Sequence, residues 1–327
     1  MKVKIVGTGR AVPEKCVTND DLSQWMDTSD EWIKSRTGIE TRHLAVEETT
    51  TGMAVEAAKR ALASAHIEAE ELDLIIAATL TPDRLFPNLA CEVQSALGAC
   101  RAVAFDVSAA CSGFLYAVDI ARRYLEAGGS RRALVIGAET LSRIMDWSDR
   151  STCVLFGDGA GAAVLEADEA EEHAGILSTV LGTDGAGGMV LRCDNRRNHN
   201  PYVNGDTALS YVSMNGQEVY KFAVRTVPKV IAGAVEAAGL SMDEIDFFLL
   251  HQANLRIIEA VAKRLHQPME KFPTNLQEYG NISSASVPIL LDNVNNHGMI
   301  GEGSKIVLAG FGAGLTWGAA VLRWQAV

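Results

Sequence analysis

The 327-residue sequence contains no run of 18 apolar residues, which excludes an ordinary membrane-spanning helix. Its start, "MKVKIVGTGRAVPEKC", reads as a short strand and a Gly/Pro turn and lacks the apolar core and cleavage site of a secretory signal. Cysteine is sparse: Cys16, Cys91, Cys100, Cys111, Cys153 and Cys193 form no CxxC pair and fall far short of a disulfide scaffold. Free thiols are therefore expected, and a zinc site is not. Positive charge is also short, 29 Lys and Arg against 41 Asp and Glu. The resulting net charge of −12 excludes a general nucleic-acid binder, and any anionic ligand needs a local basic patch. These absences predict a cytoplasmic protein with no metal, no nucleic acid and no membrane among its partners. What is present, 48% hydrophobic and 21% charged residues, suits a globular protein with a large core and room for two domains.

The chain repeats itself. "ELDLIIAAT" (71–79) and "EIDFFLLHQ" (244–252) share an acidic lead-in and a continuous apolar run, the pattern of a strand buried on both faces. Each is followed by a small-residue turn and a helix, "CSGFLYAVDIARRYLEAGG" and "NISSASVPILLDNVNNHG". Next come the buried strands "RRALVIGAE" and "SKIVLAGFGAG", then the closing phrases "GAGAAVLEA" and "TWGAAVLRW". The matched order of four elements predicts an α/β protein of two like halves, 1–170 and 171–327, with a seam in the acidic stretch "EADEAEEHA" (166–174). Residues 182–208, Gly-rich and without clear period, read as a surface loop, with a lid over a site as the alternative.

Cys111 lies where a strand hands over to a helix. Phe114, Leu115, Val118, Ala121 and Leu125 recur at helical spacing, which puts the sulfur at or just before the first turn, facing unpaired N–H groups that favour a thiolate. Small neighbours (Ala109, Ala110, Ser112, Gly113) leave space for a tight turn and an incoming substrate. A buried spacer and a nucleophile both fit this pattern. His251 ends a buried strand, where α/β sheets place their chemistry, and Asn281 opens the counterpart of the Cys111 turn. A hydrogen-bonded structural histidine and a helix N-cap remain the alternatives for these two. The runs "GTGRAV", "GDGAGA" and "GFGAG" lack the full dinucleotide fingerprint and read better as tight turns, with the amides of "GFGAG" available to an oxyanion.

Six longer stretches, "DTSDEWIKSRTGIETRH", "DVSAACSGF", "FGDGAGAAVLEA", "HQANLRII", "GNISSASVP" and "GFGAGLTWGAAVLRW", run the length of the chain in order. Together they resemble the β-ketoacyl-[acyl-carrier-protein] synthase III family, the initiating condensing enzymes of type II fatty-acid synthesis. The resemblance implies the thiolase-like fold, two duplicated α/β halves in a five-layer αβαβα sandwich, and a homodimer. It implies a ping-pong acyltransferase with no cofactor, in which acyl-CoA loads Cys111 and malonyl-acyl-carrier protein is then decarboxylated and condensed with the acyl group. Cys111, His251 and Asn281 match the catalytic positions, and the backbone N–H groups of Cys111 and Ala313 the oxyanion hole. Trp32, Arg36, Thr37, Arg150, Gly216 and Asn254 match the CoA site, with adenine between Trp32 and Arg150. Phe86, Leu141, Phe156 and Phe311 match the acyl pocket, Phe86 across the dimer contact. Gln252, Ala253, Asn254, Leu255 and Arg256 match the carrier-protein contact.

The helix "NLRIIEAVAKRL" supports that last assignment from its own pattern. Ile258, Val261, Ala262 and Leu265 share one face while Arg256 and Lys263 lie opposite and Arg264 further round, a basic surface on an acidic protein. Ala313 departs from the all-glycine turn of some members, and its methyl is expected to narrow the pocket. Cys153 and Cys193 are expected to be structural. A thiolase would need a second cysteine on "GFGAG", which has none. The rivals left are a related acyltransferase or polyketide starter enzyme and a non-catalytic carrier-protein-binding partner.

Overall fold

Two sheets, each buried on both faces, organise the chain. A computed structural model describes residues 2–168, 175–195, 198, 201–203 and 210–325. The first sheet contains β1 (Lys2–Ala11), β2 (Leu74–Ala78), β3 (Val103–Val107), β4 (Arg132–Thr140) and β5 (Asp158–Asp168), in the order β1-β5-β4-β2-β3. The second contains β6 (Gly175–Thr183), β7 (Phe247–Leu250), β8 (Lys305–Gly312) and β9 (Thr316–Arg323), in the order β7-β8-β9-β6. Reversed, the second order matches the first strand for strand, including one parallel pair, β7 with β8 as β2 with β4. The first sheet carries β3 as an additional edge strand.

Among the described residues seven helices have eight residues or more: α1 (Asp30–Thr37), α2 (Thr50–Ala65), α3 (Leu89–Leu97), α4 (Gly113–Glu126), α5 (Gly216–Ala237), α6 (Leu255–Leu265) and α7 (Ser286–Asn296). Helices α4 and α7 lie between the sheets, where Phe114, Val118, Leu290 and Leu291 pack with Leu74 and Ile76 on one side and Leu249 and Leu308 on the other. Helices α2 and α3 cover the outer face of the first sheet, Ala57, Ala61 and Val93 meeting Ile75, Ile136 and Ala162. Helices α5 and α6 cover the second, Val227, Ile231 and Val261 meeting Phe248, Val307 and Val321. This is the expected αβαβα sandwich. It also explains the unbroken apolar run of β2, since Leu74 and Ile76 face the central helices while Ile75 faces the outer ones.

The alanine face of α2 lets the helix lie directly on β1. A Cβ on Gly9 would sit 2.3 Å from the Ala57 carbonyl oxygen, so only glycine fits beneath the helix. No described helix is long and apolar enough to cross a membrane. Residues 169–174 of the acidic seam lie outside the described residues.

Candidate active site

Each central helix is entered through the same device, a one-turn 3₁₀ helix begun near a left-handed residue. Ala110 has φ 47° and opens Ala110–Ser112 ahead of α4; Ser283 has φ 46° and opens Ser283–Ala285 ahead of α7. The first turn carries Cys111. The second follows Asn281, whose backbone bridges to the 155–157 segment through Asn281 N–H to Leu155 O at 2.8 Å and Gly157 N–H to Asn281 O at 3.0 Å. Its side-chain Oδ1 accepts the Ser283 N–H at 2.8 Å, which fixes the amide and leaves the NH₂ end to donate. His251 follows β7 directly, and its N–H donates to Ala309 O at 2.8 Å, extending the ladder to β8 by one residue.

Cys111, His251 and Asn281 line one cavity of about 340 Å³. His251 is 2% exposed, Asn281 6% and Cys111 8%, so the three side chains form a nearly dry cavity floor. Burial holds the imidazole neutral by depressing it to about 3. Its Nδ1 is buried without a hydrogen-bond partner, and Phe311 packs edge-on against the ring at 5.4 Å between centroids. The thiolate favoured by position alone is not the resting state. Burial pushes the Cys111 thiol up to about 12, with the Ser283 hydroxyl pulling the other way. The helix start can therefore stabilise the anion only as it forms.

The "GFGAG" turn lies against this floor. A Cβ on Gly312 would sit 2.7 Å from Cys111 N, so a bare backbone is required there. Thr316 Oγ1 lies 3.0 Å from both Ala109 O and Ala313 O and 3.2 Å from Ser112 Oγ, locking the cysteine turn to the glycine turn. Phe311, Gly312 and Leu315 of this segment line the cavity.

Of the CoA-site residues, Arg36, Gly216 and Asn254 line the cavity, and so do Ala253 and Arg256 of the "HQANLR" segment and Phe156 and Phe311 of the acyl set. Trp32 and Arg150 stand outside it. The Arg36 and Arg150 guanidiniums already lie 4.6 and 5.0 Å from the Trp32 ring centroid, and Arg150 is further held by the Asp27 carbonyl. Adenine between Trp32 and Arg150 thus requires Arg150 to move. Thr37 does not face the cavity: its hydroxyl donates to Ile33 O at 2.7 Å and accepts Ile39 N–H at 3.0 Å, closing α1. Leu141 is buried in the same core cluster as Phe156 and Phe311. Phe86 is 84% exposed on the surface of this single chain, next to Leu85 at 85%.

Gln252 requires correction as a docking residue. It is 1% exposed; Nε2 donates to Leu250 O at 2.8 Å and Oε1 accepts the Asn275 and Leu276 N–H groups at 3.1 and 3.2 Å. Its amide braces the end of β7 and presents nothing to a partner. Leu255 is half-buried against the core and Gly38. Arg256, Lys263 and Arg264 are exposed on α6, while Ile257, Ile258, Val261, Ala262 and Leu265 are buried. Asn254 caps α6 by accepting the Arg256 N–H at 2.9 Å, and its Nδ2 donates to Arg36 O at 3.0 Å, joining α6 to α1 at the cavity mouth.

Sequence reasoning missed the wall formed by Leu191, Met214, Val219 and Phe222. Val219 and Phe222 are an i, i+3 pair on α5 and could have been found from its apolar face. Leu191 and Met214 pair across a two-residue antiparallel ribbon, Leu191–Arg192 with Ser213–Met214, too short to leave a periodic signal. The start of the 182–208 stretch is therefore structured; residues 196–197, 199–200 and 204–208 of it lie outside the described residues. Cys153 is buried with its sulfur 3.6 Å from Met26 Sδ, and Cys193 is exposed.

The chain matches the family model described as 3-oxoacyl-[acyl-carrier-protein (ACP)] synthase III over residues 105–185, and the model of the C terminal of that family over residues 235–324. It is 48% identical over 323 residues to a beta-ketoacyl-[acyl-carrier-protein] synthase III of Clostridium acetobutylicum, covering 98% of both chains. A Bacillus pumilus protein of the same name is 49% identical over 325 residues, 99% of both. The crystal structure of 3-oxoacyl-[acyl-carrier-protein] synthase III from Aquifex aeolicus superposes with a TM-score of 0.92 at 48% identity, over 98% of this chain and 100% of that one.

Proposed function

Because the chain belongs to the 3-oxoacyl-[acyl-carrier-protein] synthase III family, we propose that it condenses a short acyl-CoA primer with malonyl-acyl-carrier protein, giving a 3-oxoacyl-carrier protein, CO₂ and CoA. It is a condensing acyltransferase that initiates fatty-acid synthesis. The observation that carries the reading is a buried thiol, a neutral imidazole and an oriented carboxamide on one cavity floor.

Cys111 attacks the primer thioester carbonyl, forming the S–acyl bond and expelling CoA thiolate, which takes up the thiol proton. The oxyanion lies at the Cys111 N–H and the Ala313 N–H, with helix α4 behind it. Malonyl-carrier protein then places its thioester oxygen against His251 and Asn281. Two neutral donors there stabilise the enolate left when the carboxylate departs as CO₂, an effect of about 3 kcal/mol for one donor. The enolate carbon attacks the acyl-cysteine carbonyl; the thiolate leaves and is reprotonated. A protonated imidazole would hold the malonyl carboxylate by charge and oppose its loss, so depression of the His251 pKa suits this step.

Arg36, Gly216 and Asn254 serve the CoA arm at the mouth, and Trp32 its adenine once Arg150 swings aside. The exposed Arg256, Lys263 and Arg264 of α6 receive the acidic carrier protein. Leu85 and Phe86 form a homodimer contact that carries Phe86 to the acyl pocket of the second copy, which accounts for their exposure here. The test is direct: mass-tagged acyl-CoA should acylate Cys111, and malonyl-carrier protein should discharge it as 3-oxoacyl product and CO₂. Failure of every primer from acetyl to branched and medium-chain acyl-CoA would remove the reading.

A further inference from the structure

Glu139, at the end of β4, is wholly buried beside the two functional turns. Its Oε2 accepts three donors: the Thr81 hydroxyl at 2.7 Å, the Leu80 N–H at 3.0 Å and the Thr79 hydroxyl at 3.4 Å. Its Oε1 lies 2.9 Å from Ser284 Oγ. Among the described residues no Lys, Arg or His makes an ion pair with it. The groups that bond to it or act on it come from the end of β2, from the 283–285 turn and from the Cys111 turn, and among these interactions of the described residues the Cys111 thiol is the titratable partner.

The hydroxyl of Ser284 decides the proton count. It lies 2.9 Å from Glu139 Oε1 and also 2.9 Å from the Ala78 carbonyl oxygen, yet it has a single hydrogen. The carbonyl can only accept. Ser284 either shares its one hydrogen between the two oxygens or donates it wholly to Ala78 O and accepts one from Glu139, and the second arrangement gives two full hydrogen bonds. The donors on Oε2 and the Ser283 hydroxyl favour the carboxylate, and burial without a cation outweighs them.

We propose that Glu139 is a protonated, neutral positioning residue that clamps the Ser283–Ala285 turn, and with it Asn281, to the strand end beside Cys111. Burial without a cation also raises its carboxyl above the ordinary carboxylate range. Neutrality matters to the neighbouring sulfur, because a carboxylate here would oppose the thiolate as it forms. The buried Ser283 hydroxyl lies between the Cys111 thiol and Glu139 and acts on both, so the turn held by Glu139 also sets the surroundings of the thiol. The inference rests on the condensing reaction proposed above for its kinetic arm only.

Three readouts test it on the intact chain. Infrared difference spectra should show a protonated-carboxyl C=O band at neutral pH in the wild type and its loss in Glu139→Gln. Alkylation of Cys111 by iodoacetamide at fixed pH, which needs no substrate, should change by less than about 2-fold in Glu139→Gln, because a neutral amide replaces a neutral acid. An ionised Glu139 would instead make that variant about 10-fold or more faster, the effect of one pKa unit, and would overturn the proposal. Malonyl-carrier-protein decarboxylation should stay within about 3-fold in Glu139→Gln and fall about 10–100-fold in Glu139→Ala, as expected for a misplaced donor. Should Glu139→Ala not fold, Ser284→Ala removes the same link and should slow decarboxylation while leaving alkylation unchanged; equal decarboxylation in both variants and wild type overturns the clamp. If the wild type performs no condensation, the functional reading fails, and the infrared and alkylation arms still decide the state of Glu139.

Discussion

His251 allows a quantitative test. An imidazole with an ordinary value of 6.5 is depressed by burial to about 3. The unfolded chain therefore binds this proton from about pH 6.5 downward while the folded chain refuses it, so stability is lost as the pH falls. Between pH 7 and pH 5 the loss from this one group is about 2 kcal/mol, and it continues to grow until the pH nears 3. His251→Gln keeps a neutral hydrogen-bonding side chain and removes the titration. Denaturant unfolding of both proteins at pH 7 and pH 5 yields a double difference in which every other titrating group cancels. The wild type should lose about 2 kcal/mol more than the variant. Equal losses would mean that water reaches the ring and that the dry floor described above is wrong. The same depression leaves about one part in a hundred of His251 charged at pH 5, so protonation of this ring should not slow decarboxylation down to that pH.

Asn281→Asp keeps the oxygen that accepts the Ser283 N–H and replaces the donating amide; decarboxylation should fall about 10²–10³-fold while acylation of Cys111 by acyl-CoA persists, and equal loss in both half-reactions would refute the assigned role. Gly312→Ala places a methyl 2.7 Å from Cys111 N and should abolish acylation, whereas Gly301→Ala, with nothing within 4 Å, should leave rate and melting temperature unchanged. Trp32→Ala removes a stacking platform worth about 0.5–2 kcal/mol and should raise KM for acyl-CoA about 2–30-fold with kcat little altered, measured against an acyl-pantetheine primer that lacks the nucleotide.

Legibility followed length of signal. The buried strands announce themselves because each faces two helical layers, His251 stands directly at the end of one, and Cys111 and Asn281 stand at the small-residue turns that open the two central helices. The helix of Arg256 is equally plain, with five buried residues at helical spacing. Gln252 misleads because a polar residue beside such a helix looks available; only the three-dimensional contacts reveal that Asn275 and Leu276 consume its amide. Leu191 and Met214 meet across 22 intervening residues through a ribbon two residues wide, and Glu139 reads as the end of a strand in sequence because its partners come from segments about 60 and 145 residues away. The Cys111 thiol shows a different limit: a helix start is visible in sequence, whereas the burial that raises the thiol is a property of the assembled core.

Ala110 and Ser283 hold left-handed conformations that disfavour residues with a Cβ by about 1–3 kcal/mol each. They stand at equivalent places in the two halves, one beside the nucleophile and one beside the carboxamide. Strain is therefore concentrated at the two turns that flank the proposed catalytic groups, and the surrounding sandwich keeps it there. Warming such a molecule should loosen these points before the sheets part. Catalytic competence is then expected to have a lower thermal ceiling than the fold itself, which activity and unfolding followed on one temperature ramp would show as two separate midpoints.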